Sequence, residues 1–322
     1  MQTSFAIGCL VQWYEIEMLP EYIDTLLAAV DMYDRDRVRI DLKLVTNQEL
    51  EQLDNPDRLT YILSQFDKQV ERLEEYRSDV FIDKGLTTIA DYRREFNAKY
   101  CELADVLVWG ESDMLVPQQA FISLNHLHQN VKNTPKYIAT FAICKMWDDS
   151  WKPLEHPEFT DKPFIEGDTE NWWNIPYTMT KEEMNTFNNV EELQLSVINP
   201  HKFNGCGLVI SSEVIRAGVN IPASVFFIHE DTAFMYMVHK LLGNIPQYHF
   251  RNLLVVHNRK NPNKRNYIKG EESYTGVDID NKRKSHDWYS VANTLCRDNC
   301  NNLFNPGYKS YKWKDVWQKI KE

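Results

Sequence analysis

The chain has 322 residues, 43% of them hydrophobic and 12% aromatic, enough to bury one large core or two modest ones. Its 26% charged residues, and the lack of any run near the roughly 18 apolar residues of a membrane span, exclude a disordered, collagenous or membrane-spanning chain. The formal net charge of −11 is unevenly held: residues 251–322 carry 15 Lys and Arg against 8 Asp and Glu, and the first 250 carry 21 against 39.

Met1-Gln2-Thr3-Ser4-Phe5 lacks the basic start and long apolar run of a secretory leader, and the six scattered cysteines read mostly as buried thiols. Both point to the cytoplasm. Ser4 to Val11 has the length and β-branched content of a buried strand, followed by the polar-aromatic turn Gln12-Trp13-Tyr14-Glu15. Met18 to Met32 repeats apolar residues at helical spacing behind Pro20, and Val38 to Val45 alternates as a second strand. Strand, loop, helix, strand begins an α/β domain with a parallel sheet. Residues 58–78 read as a polar helix with no strand signal, and 87–104 as a further helix. Asp105 to Trp109 is a buried strand broken by Gly110, Pro117 to Val131 a helix, and Tyr137 to Cys144 a strand. Residues 148–190, rich in Pro, Asp, Asn and Trp, read as a long loop or lid. Leu208 to Ile210 and Phe226 to Ile228 read as short strands, with a short helix at Ser212 to Ala217 between them. A helix from about Asp231 to Leu242 and a last strand at Leu253 to Val256 follow. The charged stretch 270–285 reads as mobile. These elements divide into a domain at 1–265 and a basic extension at 266–322, loop then helix.

Three chemically capable groups follow predicted strands: Glu111-Ser112-Asp113, His229-Glu230-Asp231 and His257-Asn258. In an open parallel sheet the strand C-termini face the ligand crevice, so the three converge there. Two carboxylates separated by one residue suit a hard divalent cation, and an imidazole completes a shell for Mn²⁺ or Mg²⁺. One acid after a strand is usually a helix cap. Three in order favour a site.

At these residues the chain resembles the nucleotide-sugar-dependent glycosyltransferases of the GT-A fold, closest to the large family 2 type, over roughly residues 4–262. Such enzymes open on a strand ending in a nucleotide-binding loop, here Val11 to Glu15, before a helix near Leu19-Pro20. Mid-chain they place an Arg-bearing helix, here Arg93-Arg94, then an apolar strand and an Asp-x-Asp motif, here Glu111-Ser112-Asp113. A glycine-rich acceptor segment, Asn204-Gly205-Cys206-Gly207-Leu208, precedes an acidic pair opening a helix, Glu230-Asp231, and a late His, His257. Two positions depart from the pattern: Glu111 stands for an aspartate, and Val45-Thr46-Asn47 ends the second strand where an aspartate usually meets the nucleobase.

The resemblance implies a mostly parallel, Rossmann-like sheet flanked by helices and an inverting, metal-dependent transfer from a nucleotide-sugar, by default a UDP-sugar. It gives the general-base role to Asp231, with Glu230 as second choice, and the metal, Mn²⁺ or Mg²⁺, to Asp113 and His257 with help from Glu111. Trp13, Tyr14, Glu15, Arg93, Arg94, Glu111, Ser112 and Lys260 fall on the donor side. Gly205, Gly207 and Trp147 fall on the acceptor side. For Trp13 and Tyr14, stacking on the base and membership of the core are about equally expected. The acceptor is a glycan, a lipid-linked saccharide or a protein. In a more specific version it is hydroxymethylated cytosine in DNA, as in bacteriophage enzymes, with Lys282, Arg283 and Lys284 on the phosphates. A nucleotidyltransferase or a non-catalytic binding module remains as a further alternative.

Overall fold

Strand β1 (Phe5–Gln12) is buried along its whole length, and its side chains alternate between two cores. Phe5, Ile7, Cys9 and Val11 enter the first, Ala6 and Leu10 the second. A strand covered on both faces needs an unbroken apolar sequence, and this one has it. In this computed structural model the described residues are 2–48, 56–143, 146–147, 153–154, 180–197, 205–258 and 286–322.

Behind β1 come α1 (Leu19–Tyr33), β2 (Val38–Val45), α2 (Pro56–Glu71), β3 (Arg77–Asp83), α3 (Ile89–Tyr100) and β4 (Val106–Glu111). Then follow β5 (Met114–Leu115), α4 (Ala120–Asn130), β6 (Ile138–Ile143), the small hairpin β7 (Met146–Trp147) and β8 (Pro153–Leu154), and α5 (Lys181–Phe187). The chain continues through β9 (Leu195–Val197), β10 (Leu208–Ser211), α6 (Ser212–Arg216), α7 (Glu230–Leu242), β11 (Gln247–His257), α8 (Asp287–Asn301) and α9 (Trp313–Lys321). The main sheet has the order β3-β2-β1-β4-β10-β6-β11-β5, with β9 also on β11. The pairs β1–β2, β1–β4, β2–β3 and β6–β11 are parallel, whereas β10 lies antiparallel between β4 and β6. The expected mostly parallel sheet flanked by helices is what the chain forms.

Three local details hold α3 in place. Gly8 faces α3, where a Cβ would fall 2.5 Å from a Phe96 ring carbon and 2.8 Å from the Tyr92 hydroxyl, so only glycine lets this helix lie so close. Thr88 caps the same helix: its hydroxyl accepts from the Asp91 amide at 3.2 Å and donates to the Phe226 carbonyl at 3.0 Å. Asp41, mid-β2, is buried rather than solvated, and the Tyr92 and Tyr100 hydroxyls donate to its carboxylate at 2.7 and 2.6 Å.

The structure corrects the sequence reading in several places. The polar helix expected over 58–78 stops at Glu71, and Arg77–Asp83 is a parallel edge strand. Phe81 and Ile82 are exposed there, and a strand with one partner and a wet face carries too little apolar signal. Phe226 to Ile228 is irregular chain, not a strand. Its rings pack on α8 and α9, with Phe227 5.5 Å from Trp288 and Phe226 5.2 Å from Trp313. The last strand begins at Gln247, six residues early, and bulges between Phe250 and Leu254. Of the 266–322 extension, residues 286–322 are described, and Trp288, Ala292, Leu295, Cys296, Cys300 and Val316 share the second core with Trp109, Phe227 and Phe234. Of the expected lid, residues 148–152 and 155–179 lie outside the described residues, as does the whole of 270–285. Cys9, Cys101, Cys206, Cys296 and Cys300 are buried. No helix among the described residues is long and apolar enough to cross a membrane.

Candidate active site

At the ends of β1 and β2 a short helical turn, Trp13–Glu15, closes on itself. The buried Glu15 carboxylate accepts from the Gln12 amide at 3.0 Å and from the Ser112 hydroxyl at 2.8 Å, tying the first loop to the loop after β4. Trp13 and Tyr14 are 3% and 6% exposed, edge to face at 5.5 Å, so their rings form the floor of this corner and leave little face for a base. Beside them Asn47 adopts a left-handed backbone, φ 42°, a conformation Asn tolerates better than most residues. Its amide donates to Gln12 Oε1 at 3.2 Å and to the Thr87 carbonyl at 3.4 Å, and its own oxygen accepts from the Thr87 amide at 2.9 Å. Gln12, Asn47 and Thr87 thus lock the ends of β1 and β2 to the start of α3. The sequence marked Asn47 only as a departure; an Asn closing a buried strand was the available signal.

Arg93 forms the centre of the site. It projects from α3, is 2% exposed, and lies over the Trp109 ring at 4.7 Å. Its Nη1 pairs with Glu230 Oε1 at 2.5 Å and its Nη2 with Glu111 Oε1 at 2.7 Å, and Nη2 also donates to the Gly205 carbonyl at 3.3 Å. A Cβ on Gly205 would sit 2.1 Å from Nη1. Burial alone would lower the guanidinium pKa, but Glu230 and Glu111 outweigh it, so the net shift is upward and Arg93 stays charged. Burial pushes the Glu230 carboxyl up to about 7, against the pull of Arg93. Arg94, placed on the donor side by resemblance, turns elsewhere. Its guanidinium donates to the Ile221, Pro222 and Val225 carbonyls at 2.9, 3.0 and 2.5 Å and pairs with Asp91 at 2.8 Å, which anchors a loop and commits four of its five N–H donors.

Asp113 is buried in the turn between β4 and β5. Met114 pairs with His257 across β5 and β11, and the Asn258 amide donates to the Asp113 carbonyl at 2.5 Å. The backbones of Asp113 and His257 are therefore brought to adjacent rungs, although the His257 side chain lies outside what is described. No group of three His, Cys, Asp or Glu side chains is poised for a metal among the described residues.

Helix α7 starts with Glu230 and Asp231 behind His229, whose φ of 69° bends the chain into the helix. His229 Nε2 lies 3.0 Å from Asn293 Oδ1, and the Cys296 thiol donates to the Ile228 carbonyl at 2.9 Å, so α8 holds this bend. Asp231 is half-buried; its Oδ1 accepts from the Thr232 amide at 2.6 Å and the Thr232 hydroxyl at 3.4 Å. Gly207, φ 70°, turns the chain into β10, its amide donating to the Trp109 carbonyl at 2.9 Å. Thus Arg93, Glu111, Gly205 and Glu230 meet directly, with Asp231 adjoining and Glu15 and Ser112 linked through the β4–β5 turn. Lys260, Lys282, Arg283 and Lys284 and the Trp147 side chain lie outside the described residues.

No protein-family model matches the chain, and no curated protein matches it in sequence. Solved structures do. A mannosyltransferase from Pyrobaculum calidifontis, in complex with GDP-Man and Mn²⁺, superposes with a TM-score of 0.50 at 9% identity, over 99% of this chain and 68% of that one. TarS from S. aureus matches at 0.45 and 9%, over 98% and 78%. The chain has a GT-A-like glycosyltransferase fold.

Proposed function

We propose that the protein is a glycosyltransferase that moves a sugar from a nucleotide-sugar to an acceptor hydroxyl with inversion, by default from a UDP-sugar. The observation that carries this reading is the meeting of Arg93, Glu111, Glu230 and Asp231 near the strand ends of a GT-A-like fold. Asp113 and His257 would hold Mn²⁺ or Mg²⁺, which when bound offsets the charge growing on the leaving diphosphate. The Gln12–Asn47–Thr87 network and the Glu15–Ser112 bond fix the walls that receive the nucleotide. Asp231 takes the proton from the acceptor hydroxyl as that oxygen attacks the anomeric carbon from the face opposite the diphosphate. Its Oδ1 accepts from Thr232 in the first turn of α7, and Oδ2 makes no hydrogen bond among the described residues, so one oxygen is held while the other accepts.

The test is a panel of UDP- and GDP-sugars with Mn²⁺, read by thermal stabilisation and then by hydrolysis. A donor at 100 times its Kd adds about 2.7 kcal/mol. Neither stabilisation nor hydrolysis by any member overturns the reading. The acceptor is a glycan, a lipid-linked saccharide or a protein, and the basic residues of 251–322 with their interleaved aromatics are the support for DNA. If DNA is the acceptor, changing Lys282, Arg283 and Lys284 to Ala weakens duplex binding and flattens its salt dependence. No duplex or single-strand binding at low salt removes that version.

A further inference from the structure

Glu230 and Asp231 are neighbours at the start of one helix, and a sequence alone gives either of them the proton-transfer role. Their surroundings differ. Glu230 is 7% exposed and spends Oε1 on Arg93 at 2.5 Å, whereas Asp231 is half-buried and pairs with no cation among the described residues. A general base must reach a hydroxyl of an entering substrate. Glu230 instead reaches the buried guanidinium that also grips Glu111, at the end of β4, and the carbonyl of Gly205, before β10. Three segments distant in sequence are therefore held on a single planar, five-donor group whose face is fixed by Trp109.

We propose that Arg93 and Glu230 are the positioning pair of the site, bracing the Glu111–Asp113 turn, the Gly205–Leu208 segment and the start of α7 against one another, so that Glu230 aligns and Asp231 performs the proton transfer. This rests on the glycosyltransferase reading for the roles, though not for the brace itself. Gly205 belongs to the same device. Any side chain there meets Nη1, and because the guanidinium is the far end of a long side chain, it is the guanidinium that must yield. Gly205→Ala therefore dislodges the brace without removing any charge, and Glu230→Gln removes a charge without removing bulk.

Hydrogen exchange on the substrate-free protein tests the brace without any donor. Both variants should raise exchange about tenfold or more at 111–115 and at 205–208, with the melting temperature nearly unchanged. In Glu230→Gln both responding segments are far in sequence from the substitution. Faster exchange confined to the substituted segment overturns the proposal. Should Glu230→Gln fail to fold, Gly205→Ala decides. Turnover of UDP-glucose and GDP-mannose with Mn²⁺ at about pH 8, where Glu230 is ionised, tests the roles. Glu230→Gln should lose about tenfold, in kcat more than in donor KM, and Asp231→Asn about 100-fold or more. A loss in Glu230→Gln as deep as in Asp231→Asn makes Glu230 the base and overturns the assignment. If the wild type turns over neither donor while exchange responds as stated, the glycosyltransferase reading loses its support and the brace stands.

Discussion

The two sides of the site are built by different means. On the side proposed for the donor, β1, β2, β3 and β4 run parallel, and the loops at their ends are tied to one another by Gln12, Glu15, Asn47, Thr87 and Ser112. On the side proposed for the acceptor, the start of α7 is held by contacts that span the chain: Thr88 to Phe226 across 138 residues, Arg93 to Glu230 across 137, Cys296 to Ile228 across 68 and His229 to Asn293 across 64. A nucleotide pocket can come from the ends of adjoining strands, as in many parallel sheets. A base that must meet a second substrate is hung from whatever the rest of the fold places beside it.

The sharpest way to break this contrast is Asp231→Asn. Transfer should fall about 100-fold or more while donor affinity by calorimetry stays close to wild type; equal loss of both would put Asp231 on the donor side. Next comes Asp113→Ala, which should abolish most of the Mn²⁺-stimulated part of donor binding and leave metal-free binding unchanged. Full Mn²⁺-dependent binding by that variant would remove Asp113 from the metal. Two smaller changes separate stability from function. Gly8→Ala forces a methyl into Phe96 and Tyr92 and should cost about 1–3 kcal/mol in urea unfolding, with kcat of the surviving folded protein near wild type. Asn293→Ala should cost less, about 1 kcal/mol, yet reduce kcat several-fold because His229 loses the partner that fixes the bend into α7.

A pH dependence follows as well. Glu230, ordinarily near 4.5, is raised to about 7 by burial, so the folded state holds its proton more tightly than the unfolded state does. Its contribution to stability is full below about pH 4.5 and is lost as the pH rises through 7. The melting temperature of the wild type should therefore fall relative to that of Glu230→Gln across this window. Parallel curves would mean that Glu230 titrates as an ordinary carboxyl.

Much of the donor side was legible in the sequence, and the reason is local. Val38–Val45 was read with its observed bounds, and β1, α1 and β4 within one or two residues at each end, because buried strands and an amphipathic helix write their period into consecutive residues. β3 was missed because an edge strand exposing Phe81 and Ile82 has no such period. Phe226–Ile228 was misread because its apolar run is covered by Trp288 and Trp313, far along the chain, and not by neighbouring strands. Within the site, Glu111, Glu230 and Arg93 were each singled out. That one guanidinium joins both acids was not legible, since no spacing rule links residues 18 and 137 apart.

The bend at His229 also sets an order on how the protein is made. A ribosome releases the chain from its N-terminus. The four strands of the donor side, Phe5 to Glu111, are out and able to pair before any part of α7 exists. Helix α7 itself emerges well before Asn293 and Cys296, the residues that hold its first turn, and before Val316 closes the second core. A growing chain thus passes through a stage at which the ends of its first strands are set and its acidic pair is not. The residues that hold the first turn of α7 are synthesised after the strands they complete, so a chain stalled or clipped before Asn293 would keep the paired strands and lack the contacts that fix Glu230 and Asp231.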